Sequence, residues 1–100
     1  MAEVDEVMNR TKSRDKVRCI VIANKDGVSI RSTLPSDKAS ESSQLASIVY
    51  QLTEKARCCV RDVDPTNDMT FLRFRLRKHE ILVAPGKDFY LIVQQGIEED

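Results

Sequence analysis

Apolar positions along this chain switch between a helical period near 3.6 and a strand period of two, and the switches mark the elements. Val4, Val7, Met8 and Thr11 recur at helical spacing, which predicts a short helix over residues 3–13. Its acids come first (Glu3, Asp5, Glu6) and its bases last (Arg10, Lys12, Arg14), an order that suits the helix dipole. Residues 17–23 alternate as a strand but are apolar on both faces, with Val17, Cys19, Val21 and Ala23 against Ile20 and Ile22. Asn24-Lys25-Asp26-Gly27 reads as a hairpin turn, with Gly27 supplying a positive φ. A second strand follows at 28–33, polar on one face. After the Pro35 loop, Leu45, Ile48, Val49, Leu52, Ala56 and Cys59 form one stripe and predict a main helix over 41–60. The turn-rich stretch Asp62–Asp68, with Pro65, cannot continue that helix. A meander closes the chain. Its strands are expected at 69–77, 80–84 and 89–94, with turns around Lys78–His79 and at Pro85–Asp88, before an acidic tail at 97–100.

Face polarity then orders the sheet. Strands one and five are apolar on both faces, so they belong side by side in the middle. The first hairpin places strand two outside strand one, and the meander places four and then three outside five. The expectation is an α+β fold: a five-stranded antiparallel sheet in order 2-1-5-4-3, with helices packed on its faces. Strand two is a tolerable edge because it is short and half polar. Strand three is not. It carries Leu72, Phe74 and Leu76 on one face, is extended by Met69 to Phe71, and lacks proline. An edge of that composition needs covering, and the simplest cover is a second copy pairing antiparallel across a two-fold axis.

One hundred residues fit a single domain over 1–100 with one core. Sixteen acidic against sixteen basic residues leave no formal net charge, which weighs against nucleic acid as a partner. The acidic start and the absence of a long apolar run lead to the expectation of a cytosolic chain with no membrane association. Three cysteines, Cys19, Cys58 and Cys59, are expected to be reduced thiols, with Cys19 and Cys59 as small core residues. With one histidine, His79, a closed zinc site has too few ligands.

Catalytic chemistry finds no foothold, so no enzyme and no cofactor are expected. His79 falls in an expected turn with no nucleophile beside it in sequence. Gly27, Gly86 and Gly96 are isolated, so no phosphate-cradling loop exists. Asp62, Asp64 and Asp68 lack the glycine and terminal glutamate of a calcium loop, and capping or turn roles are the better reading. Arg73, Arg75 and Arg77 alternate on strand three. Nucleic-acid-binding sheets add stacking aromatics, and only Phe71 is available. Edge protection by charged stems is preferred, with pairing to acids of a partner, such as the Asp62 or Asp64 of a second copy or a bound peptide, as a third reading.

Several runs resemble the roadblock-family dynein light chains: Met1–Val4, Asn24–Gly27, Ile30–Thr33, Lys55–Arg57, Val60–Arg75, Glu80–Pro85 and Lys87–Asp88. The run from Arg61-Asp62 through Asp64-Pro65, Asn67-Asp68 and Thr70-Phe71-Leu72-Arg73 is the most specific. The resemblance covers essentially the whole chain. It implies the roadblock fold, homodimers joined through the second helix and third strand, and a non-catalytic accessory light chain that binds the dynein intermediate chain in microtubule-based transport, cytoplasmic or axonemal. On that reading Ile48, Tyr50, Phe71 and Arg73 are the expected dimer contacts, and Val4, Val7 and Met8 the expected partner-docking residues. The alternative is a small-GTPase regulatory or scaffold subunit, because proteins of this fold also serve in that role.

Overall fold

The computed structural model describes residues 17–96. Its elements are β1 (Val17–Asn24), β2 (Ser29–Ser32), a single 3-10 turn (Ser36–Lys38), α1 (Ala39–Val63), β3 (Leu72–Arg75), β4 (His79–Pro85) and β5 (Phe89–Gly96). The strands form one antiparallel sheet in the order β2-β1-β5-β4-β3, as face polarity predicts. The expected helix over 3–13, and with it Val4, Val7 and Met8, lies outside the described residues.

β1 sits at the centre because both of its faces are needed. Val21 and Ala23 join Ala46, Val49, Ile81, Val83, Tyr90 and Ile92 in the core between sheet and helix. Ile20 and Ile22 join Val93 in a second cluster on the reverse face, where Ile20 sits opposite Val93 and Ile22 opposite Leu91. The β1–β2 turn closes through Gly27 N–H to the Asn24 carbonyl at 3.0 Å, while Asn24 Oδ1 accepts from the N–H groups of Asp26 and Val28. Gly27 has φ 81°, and a Cβ there would meet the Tyr50 ring at 2.8 Å, so both backbone and packing require glycine.

α1 is longer than the periodicity predicts, and it is phased differently. Its fully buried positions are Ser42, Ala46, Val49 and Thr53. The apolar stripe is wider than the sheet contact, so Ile48 and Leu52 on its flank stay 57% and 43% exposed. Cys59 is exposed rather than core, because it lies off the helix face that buries Ser42, Ala46, Val49 and Thr53, whereas Cys19 is buried as expected. The helix stops at Asp64, whose extended backbone (φ −146°, ψ 100°) is what a residue before proline prefers.

β3 shows the largest shortening, four residues where nine are expected. The segment before it is tethered elsewhere. Asp68 accepts from Arg57 Nε and Nη2 (3.1 and 2.9 Å) and from Arg61 Nη2 (3.1 Å), which ties the connection to the last turns of α1. His79 is not a turn residue: it opens β4 opposite Gly96, and its Nδ1 is buried without a hydrogen-bond partner among the described residues.

Candidate functional site

Among the described residues, no group of three or more His, Cys, Asp or Glu side chains is placed to hold a metal ion. Asp64 is engaged with Thr66, accepting from its N–H and hydroxyl at 3.1 and 2.7 Å, and Asp68 with two arginines, so the acids of the 62–68 loop do not converge. Nor is any described helix long and apolar enough to cross a membrane. The molecule's distinctive surface is instead the β3 edge, with the groove above it.

The edge is defined by backbone geometry. β3 pairs with β4 through Leu72–Val83, Arg73–Leu82, Phe74–Ile81 and Arg75–Glu80, and Leu76 N–H donates to the His79 carbonyl at 2.7 Å. Antiparallel pairs alternate between hydrogen-bonded and non-hydrogen-bonded. Leu72, Phe74 and Leu76 therefore spend their amide groups on β4. The amide groups of Phe71, Arg73 and Arg75 point outward, the pattern that another strand requires.

On the helix side of this edge lies an open groove of about 310 Å³, lined chiefly by Leu45, Ile48, Val49, Leu52, Phe74 and Ile81. Cys19 stands at its wall, its thiol donating to Gln94 Oε1 at 3.4 Å; burial pushes the thiol pKa up, so it stays protonated and unreactive at neutral pH. Two exposed aliphatic side chains on a helix flank and a half-buried phenylalanine on the edge strand form an apolar seam along this groove. Fully burying one such side chain contributes about 1.5–3 kcal/mol.

The reverse side of the edge is charged, and its charges are organised. Arg73 donates to Glu80 through Nε (3.0 Å) and Nη2 (2.9 Å), Gln95 Nε2 donates at 2.7 Å, and Arg75 Nε lies 3.7 Å away. Register explains the cluster: Arg75 faces Glu80, Glu80 faces Gln95, and Arg73 is the diagonal neighbour. Arg73 above all, then Gln95, hold the Glu80 carboxyl below its ordinary range, although its burial opposes them. The arginines thus have an acid of their own chain, one the sequence reading did not assign to them. Phe71 lies on the same side, half exposed, beside Leu82 and Ala84.

The expected dimer residues separate. Ile48 borders the seam, and Phe71 and Arg73 lie on the β3 edge. Tyr50 points to the far flank of α1, against Gly27 and edge-on to Tyr90 at 5.5 Å. Tyr90 donates its hydroxyl to Glu54 and accepts from Arg57 Nη1 at 3.4 Å; burial, then the Glu54 contact, pushes its pKa up to about 12. Leu52 and Phe74 also line the groove, and neither is among the expected dimer contacts. Leu52 was visible as a stripe residue, but its exposure depends on where the sheet ends.

The Roadblock/LC7 domain family model matches residues 3–95. Among solved structures, the Roadblock/LC7 domain from Streptomyces avermitilis superposes with a TM-score of 0.76 at 19% identity, covering 89% of this chain and 73% of that one. Myxococcus xanthus MglB gives a TM-score of 0.72 at 18% identity, covering 94% and 76%. Identities this low bear on architecture alone, and the architecture agrees.

Proposed function

The chain belongs to the Roadblock/LC7 domain family, and from that premise we propose that it is a non-catalytic scaffold or regulatory subunit that acts as a homodimer. One observation carries the reading: the apolar seam of Ile48, Leu52 and Phe74 runs beside an edge strand whose outward amide groups are unpaired within the described sheet. Pairing β3 with its copy would join two five-stranded sheets into one of ten strands and bring the two seams together. A two-fold dimer then presents every remaining surface twice, which raises effective concentration for a bivalent partner.

Two partner classes remain, each with its own support. The structural likeness to Myxococcus xanthus MglB is the support for a small-GTPase regulatory or scaffold role. The run Val60–Arg75 resembles the dynein light chains and supports an intermediate-chain segment docking as an amphipathic helix. The reverse-face arginines are committed to Glu80, which disfavours nucleic acid. Calorimetry of the purified chain against small GTPases in both nucleotide states, and against intermediate-chain peptides, separates the readings. Saturable binding to one class is expected, and binding to neither would remove the scaffold reading.

A further inference from the structure

We propose a specific register for the self-pairing of β3: Leu72 lies on the two-fold axis, so that Phe71 faces the partner's Arg73. This inference rests on the homodimer reading and deepens it.

Three constraints lead there. First, only the odd-numbered residues Phe71, Arg73 and Arg75 offer outward amide groups. An antiparallel copy must therefore match odd residues with odd ones, which leaves two-fold centres at Leu72, Arg73 or Phe74 within the strand. Second, side chains on one face stay on that face across the joint. The reverse face would then carry Phe71, Arg73 and Arg75 from both copies in a single row. Centring on Phe74 sets each Arg73 against the partner's Arg75, and centring on Arg73 sets that arginine against itself. Like charges directly opposite one another are destabilising, and Glu80, the carboxylate at this row, is already shared by Arg73, Arg75 and Gln95.

Third, centring on Leu72 removes every direct arginine–arginine pair. Each Phe71 ring, half exposed in the single chain, then lies opposite a guanidinium whose orientation is fixed by two hydrogen bonds to Glu80. Cation–π contact with an aromatic face suits a guanidinium so held. On the helix face the two Leu72 side chains meet on the axis. A centre further toward the N-terminus is blocked. It would enlist the residues around Asn67, whose N–H closes a turn onto the Asp64 carbonyl at 3.0 Å, while Asp68 is tied to Arg57 and Arg61.

The register sorts three single-cysteine variants. In a background with Cys19→Ala, Cys58→Ser and Cys59→Ser, each of Leu72→Cys, Arg73→Cys and Phe74→Cys places a thiol on one candidate axis. Under mild oxidation Leu72→Cys should form interchain disulfide about tenfold faster than the other two, because only there are the Cβ atoms within bonding reach. Fastest cross-linking by Arg73→Cys or Phe74→Cys overturns the register while leaving the dimer standing. Slow cross-linking at all three sites, with a dimer still seen by light scattering, overturns pairing through β3. A monomer in the unmodified chain overturns the homodimer reading itself. Should a variant fail to fold, dimers mixed from differently isotope-labelled native chains give a second readout. An interchain contact between the two Leu72 α-protons is expected by NMR, and one between Phe74 α-protons contradicts the register.

Discussion

The two edges of this sheet solve the same problem in different ways. β2 is four residues long, and its end is closed by hydroxyls. Ser32 Oγ lies 2.8 Å from Ser42 Oγ and accepts from the Leu34 N–H, and Thr33 Oγ1 accepts from the Ile20 N–H at 2.9 Å. Pro35 follows at once. β3 is also four residues long, and its ends are tied by an ion pair and a turn: Asp68, ahead of it, is held by Arg57 and Arg61, and Leu76 N–H donates to the His79 carbonyl. Its helix-side neighbours are an apolar groove and two exposed aliphatic side chains, and its reverse side is a charge cluster satisfied within the chain. At equal length the two edges differ in what flanks them: hydroxyl contacts at the end of β2, and an apolar groove with a charge cluster beside β3. On the proposed reading, β3 is the edge that a second copy covers.

The contrast breaks most sharply at Ile48. Replacing it with Asp puts a charge into the seam, and an unpaired buried charge costs about 3–5 kcal/mol, which weakens self-association by at least about a hundredfold. Ile30→Asp, within β2, introduces the same chemistry at the opposite edge and should leave association unchanged. Sedimentation equilibrium of both variants checks the pair, and equal loss from both would erase the distinction. Phe71→Arg, on the β3 edge, would set a second cation opposite the partner's Arg73 in the proposed register and should also weaken association, though with a smaller loss.

A fold-level substitution away from the seam sharpens the comparison. Gly27→Ala meets both a positive φ and the Tyr50 ring, and should lower stability by about 1–3 kcal/mol while leaving the dimer affinity of the folded fraction unchanged. Denaturant unfolding and sedimentation of the same sample separate the two effects. If affinity falls instead, Tyr50 is a dimer contact after all.

The smallest effect is a pH dependence. Glu80 has its folded pKa held below the ordinary value of 4.5, chiefly by Arg73. Its contribution to stability is therefore complete above that value and is lost as pH falls through the lower folded value. Asp68, also held low, chiefly by Arg57, behaves in the same sense from its ordinary 3.8 downward. Unfolding followed from pH 6 to pH 2 should show the loss. Glu80→Gln should flatten the part lying just below 4.5, and Asp68→Asn the more acidic part. An unchanged profile in Glu80→Gln would mean that the cluster is not coupled to folding.

Sheet order was legible because Ile20 and Ile22 oppose Val21 and Ala23, and double-sided strands have to be central. The β3 edge was legible for the complementary reason, that Leu72 and Phe74 sit on a strand which connectivity forces outward. The seam was only half legible. Helical periodicity groups Ile48 and Leu52 with Val49, but exposure depends on the width of the sheet beneath, which a one-dimensional pattern does not carry. The Glu80 cluster was hidden because it depends on strand register across a turn. The turn residues are Arg77 and Lys78, one position earlier than expected, which moves His79 into β4. The flank on which Tyr50 lies was not legible, because a tyrosine beside a stripe falls on either side, and only its contact with Gly27 across the turn decides which.

Self-association through the β3 edge is tested most directly by light scattering of the unmodified chain at micromolar concentration, beside Ile48→Asp. A particle of twice the chain mass that falls to one chain mass in the variant is the expected result. A stable monomer in the unmodified chain, or a dimer that survives the substitution intact, would contradict it.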